Sequence, residues 1–116
     1  MAGTIYHLAL AADWSDAQAA GNDYRVSSIG RLLVDVGFIH CSFAGQLQRV
    51  ADAFYRGRTD VVLLSIDAAK VTSPIRDENT EGGSELYPHI YGPLNLDAVV
   101  DVRPLATTPD GALVIS

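Results

Sequence analysis

Apolar positions recur along this chain with two different periods, and the switches between them mark out the elements. From Thr4 to Leu10 the period is two: Ile5, His7 and Ala9 fall on one face, Tyr6, Leu8 and Leu10 on the other. That pattern predicts a strand covered largely on both sides. Asp13, with Asp16 three residues on, predicts the cap of a short helix with Trp14, Ala17 and Gln18 on one side and its end at Gly21. Asn22 and Asp23 prolong the break. Between Tyr24 and Leu33 the spacing of Val26, Ile29, Leu32 and Leu33 fits either a short helix or a partly extended connection.

Asp35-Val36-Gly37 predicts a turn into a second apolar strand, Phe38 to Cys41, in which Phe38, His40 and Ser42 share one face and Ile39 and Cys41 the other. Ser42 is suited to cap the helix that follows, because its hydroxyl can accept from a free backbone N–H. Phe43, Leu47, Val50 and Phe54 recur at helical spacing as one apolar stripe, Arg56 suits the negative end of that helix, and Gly57 supplies the stop. Val61 to Ile66 is a continuous β-branched and leucine run, the mark of a buried central strand. Asp67 to Val71 turns along the surface and Ile75 to Glu78 is a short strand. Asn79 to Ser84, with Gly82-Gly83, is the expected mobile loop.

Leu86 to Tyr91 alternates again, with Tyr87, His89 and Tyr91 on one side. Pro88 lacks the N–H that a ladder needs, which makes this an edge strand or a strand start. Gly92-Pro93 breaks it. Ala98 to Leu105 is a further strand, and Thr108-Pro109-Asp110-Gly111 turns the chain back into Ala112 to Ile115. Strands outnumber the two helices of the first half, so the pattern predicts an α+β fold.

A length of 116 residues, with 48% hydrophobic content, allows one domain over residues 1–116 with a single real core. The net charge of −6 and the lone lysine, Lys70, leave no cationic cluster for an extended nucleic-acid footprint. A small nucleotide held by a few hydrogen bonds needs no such cluster. Cys41 is the single cysteine, so an intrachain disulfide is excluded. No apolar run approaches the roughly 20 residues that cross a bilayer, so no membrane partner is expected. The first residues carry no basic region and Asp13 interrupts their apolar stretch, which predicts a cytoplasmic protein.

The chemistry-bearing residues are the three histidines, His7, His40 and His89, each set in an apolar segment, with Tyr6 beside His7 and Tyr87 and Tyr91 flanking His89. Histidine is of intermediate burial in general, so three in such settings suggest a cleft lined by at least two of them. A core reading for each remains open, with ring nitrogens bonded to backbone carbonyls or a buried tyrosine. Three imidazoles could also hold zinc for a hydrolase, although no HxH or HExxH pair places two ligands on one element. His40 and Cys41 point to opposite faces, and Ser42 reads as a cap before a nucleophile. A nucleotide pocket uses histidine and tyrosine as donors to ribose hydroxyls and as flat faces for a base.

Four blocks carry a resemblance: Ile5-Tyr6-His7-Leu8-Ala9, Gly37-Phe38-Ile39-His40-Cys41-Ser42, Val62-Leu63-Leu64-Ser65-Ile66-Asp67 and Pro88-His89-Ile90-Tyr91-Gly92-Pro93-Leu94. Together they look like the bacterial family known as domain of unknown function 952, over nearly the whole chain. More distantly, their order is similar to the catalytic domain of RNA 2′-phosphotransferases, within the ADP-ribosyltransferase-like fold. That resemblance implies a split, strongly twisted sheet with two helices and a transferase acting on NAD or ADP-ribose. It implies that His7 holds the ribose and amide of NAD and that His40 with Ser42 lies beside the nicotinamide ribose; Tyr6, His89 and Tyr91, candidates from the nucleotide-pocket reading, are expected to complete the cofactor site. Glu85, or else Glu78, stands for the carboxylate that related transferases carry on a later strand. This chain lacks the phosphotransferases' extra N-terminal domain and RNA-binding arginines, and it has Phe38 where their second block has a histidine. The alternative expectation is a non-catalytic nucleotide-binding module that kept the pocket.

Overall fold

Both faces of the first strand are covered, as its alternation requires. In the computed structural model, which describes residues 3–21, 23–80 and 83–115, β1 (Thr4–Leu10) puts Ile5 and Ala9 into one apolar cluster and Leu8 into a second on the opposite side. The chain passes directly from Leu10 into α1 (Ala11–Ala20), so Asp13 lies within the first turn and no side chain caps the helix. Gly21 does end it: at φ 67° its N–H reaches the carbonyls of Ala17 and Gln18. The segment that the periodicity left open is extended, a small hairpin of β2 (Val26–Ser28) and β3 (Arg31–Leu32), followed by one helical turn, α2 (Leu33–Val36).

The second histidine strand, β4, is shorter than expected, at Ile39–His40. Ser42 does not cap the next helix. Its backbone is engaged by Tyr6 in both directions, at 2.9 and 2.7 Å, and this bridge ties β4's segment to β1. The capping falls to Gln46, whose Oε1 accepts from the Phe43 N–H at 2.9 Å while its amide donates to the Leu86 carbonyl at 2.8 Å. A single 3-10 turn (Ala44–Gln46) then leads into α3 (Leu47–Phe54). Leu47, Val50 and Ala51 form its buried face, whereas Phe54 is 60% exposed and Phe43 lies at the surface. The helix ends at Tyr55 before reaching Arg56, and Gly57 takes φ 84° in the turn beyond.

β5 (Val61–Asp67) is the central strand that its β-branched run predicts, between β1 and β8 (Val99–Pro104), antiparallel to both. Val62, Leu64 and Ile66 enter one cluster, Val61 and Leu63 the other. Burying each such side chain is worth about 1.5–3 kcal/mol, so this strand is the principal apolar contribution to the fold. A second antiparallel sheet has the order β4, β7 (Tyr87–Ile90), β6 (Ile75–Glu78). Pro88 sits near the start of β7 but the strand is central, not an edge. Pro88's carbonyl accepts from Cys41, so the missing N–H is no loss on that side. After β8 the turn at Thr108 to Gly111 returns the chain to Leu113, which is buried beside Leu105. Among the described residues this is a small α+β fold of antiparallel sheets with few helices. Asn22, Glu81 and Gly82, which belong to the expected break and loop, lie outside the described residues.

Candidate functional site

His7 follows the alternation onto the face of Ile5 and Ala9, and that face meets the core. His7 is 2% exposed. Its Nδ1 lies 2.7 Å from the His40 carbonyl and its Nε2 3.0 Å from the Tyr24 hydroxyl. A carbonyl can only accept, so Nδ1 carries the hydrogen and Nε2 accepts from Tyr24. Burial lowers the His7 pKa from 6.5 to about 4, and burial likewise drives the Tyr24 hydroxyl upward. Both ring nitrogens are occupied, one by the buried Tyr24 hydroxyl and the other by a strand carbonyl, and the arrangement is that of a core histidine.

His40 behaves differently. Its N–H donates to Ser27 Oγ at 3.3 Å and its carbonyl receives His7, so the strand is fixed from both sides while the ring stands at a cavity wall. The cavity measures about 650 Å³. Ser27, Ser28 and Ile29 from the β2–β3 hairpin form one wall; Val50, Phe54 and Tyr55 from the end of α3 form another. Phe38 stands beside His40, and Arg31 and Asp35 bring one charge of each sign. The Tyr55 hydroxyl already donates to the Leu8 carbonyl at 3.1 Å, so Tyr55 offers the cavity its ring more than its oxygen.

His89 faces His40 across the β4–β7 pair, with ring centroids 5.2 Å apart. Phe38, which lines the cavity, lies flat against it at 4.1 Å and 15°, and His89 itself is not in the cavity wall. Its Nδ1 is 3.1 Å from Glu78 Oε1, the oxygen that also accepts from the Tyr91 hydroxyl. Those two hydrogen bonds hold the Glu78 carboxyl below its usual pKa. The Arg76 guanidinium covers the Tyr91 ring at 4.9 Å.

The structure therefore distributes the residues singled out by sequence. His40 lines the cavity, and His89 and Tyr91 stand outside its wall in one network with Glu78. His7, Tyr6 and Ser42 are not in its wall. Glu85 lies off to one side, paired with Arg49 and accepting from Gln46 at 3.3 Å, in a shallower depression shared with Tyr87. Burial pushes the Cys41 thiol up, so this cysteine is inert. Among the described residues no group of three His, Cys, Asp or Glu is placed to hold a metal ion. The hairpin residues Ser27, Ser28 and Arg31 escaped sequence reading because Tyr24 to Leu33 had no clear period. The Ile29-Gly30 pair, with Gly30 at φ 68°, was the one local sign of a tight turn there.

The family model described as Protein of unknown function (DUF952) matches residues 8–102, and the chain belongs to that family. The crystal structure of protein CC0527 from Caulobacter crescentus is similar to this chain at 30% identity, over 97% of this chain and 94% of that one, with a TM-score of 0.83. A double-methionine variant of CC0527 gives the same figures. The solution NMR structure of CC0527 is 31% identical over 94% and 90% of the two chains, with a TM-score of 0.77. No curated protein matches. No helix among the described residues is long and apolar enough to cross a membrane.

Proposed function

We propose that this member of the DUF952 family is a binding module for a nucleotide-class small molecule, an ADP-ribose- or NAD-like ligand, held in the cleft at His40. The observation that carries this reading is the composition of that cleft around one half-buried imidazole. Phe38, Phe54 and Tyr55 offer aromatic faces to a base, the hydroxyls of Ser27 and Ser28 suit ribose oxygens, and Arg31 suits a phosphate. Its volume of about 650 Å³ falls within the roughly 300–1,000 Å³ of small-molecule sites. NAD, if bound, would supply the ribosyl group and a nicotinamide leaving group. The chain's own contribution is to orient the ribose through His40 and to shield it with the α3 aromatics.

The ADP-ribosyltransferase-like fold is part of this proposal. It is supported by two antiparallel sheets joined at Tyr6 and Ser42, with the histidine of the first strand directly under the second block. A transferase would need His7 in the cleft to hold the ribose, and His7 has both nitrogens committed to Tyr24 and His40. That commitment favours binding without chemistry. One observation favours the transferase as a second reading: Glu85 lines the depression next to Tyr87, whose ring is 5.2 Å from that of His40. A carboxylate there would stabilise an oxocarbenium-like state as the nicotinamide–ribose bond breaks.

Thermal unfolding with added ADP-ribose, and nicotinamide release from NAD, test the two readings together. A binder gains about 2.7 kcal/mol at ligand a hundredfold above Kd and releases no nicotinamide. Release that depends on Glu85 would establish the transferase. No shift with either ligand would overturn both.

A further inference from the structure

The two edges of the principal sheet differ. β1 is closed on its outer side by the backbone bridge between Tyr6 and Ser42. β8 forms the other edge, and every residue in it after Val99 is exposed, Val100 and Val102 included. The direction of its backbone groups follows from the ladder. The Leu105 N–H donates to the Val61 carbonyl, one step past the pair of Pro104 with Val62, so Leu105, Arg103 and Asp101 turn toward β5. Val102 and Pro104 turn outward, as does Ala106, whose carbonyl accepts from the Val114 N–H. Pro104 has no N–H to leave unpaired there. Among the described residues no backbone group pairs with the outward N–H and carbonyl of Val102, the kind of edge that templates a further strand.

We propose that β8 is a self-association edge, on which a second copy of this chain pairs antiparallel about a two-fold axis at Val102. The charges carry the choice of partner. Asp101 and Arg103 flank Val102 on one face of the strand, so this pairing sets Asp101 of each copy opposite Arg103 of the other. The two Val102 residues exchange a reciprocal pair of backbone hydrogen bonds. The charged pairs fall at the alternate positions, where facing side chains approach most closely. A slip of two residues keeps the backbone pattern but sets Asp101 against Asp101 or Arg103 against Arg103, so charge selects one register. The shift in register that leaves Val100 out of the ladder with β5, and Pro104 at the other end, confine the pairing to a short stretch. No residue of β8 lines the cleft at His40, so the pairing does not consume that cleft.

Sedimentation equilibrium of the full chain, at concentrations up to about 1 mM, tests the pairing. The natural chain should approach twice the chain mass, and added salt should weaken the dimer. Asp101→Arg sets like charges opposite each other on both sides of the axis and should raise the dissociation constant at least about tenfold. Asp101→Arg combined with Arg103→Asp restores opposite charges in the same register and should restore association. A chain that stays monomeric throughout, a dimer indifferent to Asp101→Arg, or a double variant no better than the single one overturns the inference. Amide exchange of the natural chain gives a reading free of substitution. The Val102 N–H should exchange more slowly as concentration rises, while those of Asp101 and Arg103, turned toward β5, should not change. A Val102 N–H indifferent to concentration overturns the pairing as well.

Discussion

The His7 imidazole donates to the His40 carbonyl at 2.7 Å, so the two histidines stand one behind the other rather than side by side. One supports the strand that presents the other. His7→Ala should accordingly act on stability. It removes the hydrogen bonds to the His40 carbonyl and to the buried Tyr24 hydroxyl, and opens a cavity. The expected cost is about 2–5 kcal/mol in urea unfolding. His40→Ala, at a half-buried ring, should cost under about 1 kcal/mol and act on ligand binding instead. Equal destabilisation by both substitutions would contradict this division.

Stability should fall on the acid side in a window set by His7. Its folded pKa, about 4, lies below the ordinary 6.5, so between these values the unfolded chain binds more protons than the folded one. The contribution is intact above pH 6.5 and is lost as pH falls toward 4. Its full size is about 3 kcal/mol at 1.36 kcal/mol per pH unit. Urea midpoints measured between pH 7 and pH 4.5 should decline in the natural chain. In His7→Gln, which keeps one donor and one acceptor but does not titrate, that part of the decline should vanish.

Phe54 and Arg31 mark the cleft without supporting the fold. Phe54 is 60% exposed, and Arg31 lies on a surface hairpin. Phe54→Ala and Arg31→Ala should each leave stability within about 0.5 kcal/mol of the natural chain. Each should weaken ADP-ribose binding about tenfold, the equivalent of roughly 1.4 kcal/mol, when titrated by calorimetry. Unchanged affinity in both would place the ligand elsewhere.

Gly92 is the position where the backbone itself forbids a side chain. It takes φ 153°, and a Cβ there would stand 2.5 Å from Ser73 Oγ, which is held by a 2.8 Å hydrogen bond to the Pro93 carbonyl. Gly92→Ala should cost about 1–3 kcal/mol by chemical denaturation, because Ser73 must give up that bond to make room. Ser73→Ala should recover part of the loss when combined with it.

The strands that hold the core were legible in the chain because burial on both faces leaves an unbroken apolar pattern, as in Val61 to Ile66. Gly21 was legible as a helix end because the left-handed turn there needs glycine. The start of α1 was not: Asp13 looks like a cap, but the strand runs straight into the helix and no cap is used. Ser42 misled for the same reason, since its backbone was claimed by Tyr6 and a glutamine four residues on did the capping. Pro88 suggested an edge strand or a strand start: it does sit at the start of β7, and its carbonyl lets that strand lie in the middle of a sheet.

By itself the sequence determined an α+β pattern of the DUF952 family, with its three histidines in apolar strands. Which of them meets a cavity was decided only by tertiary structure. Alternation says which face a residue is on, but it does not say what covers that face. Tyr24, brought from the segment with no clear period, closed the face of His7 and left His40 at the wall. Phe38 in turn stacks on the face of His89, which is buried outside the cavity wall.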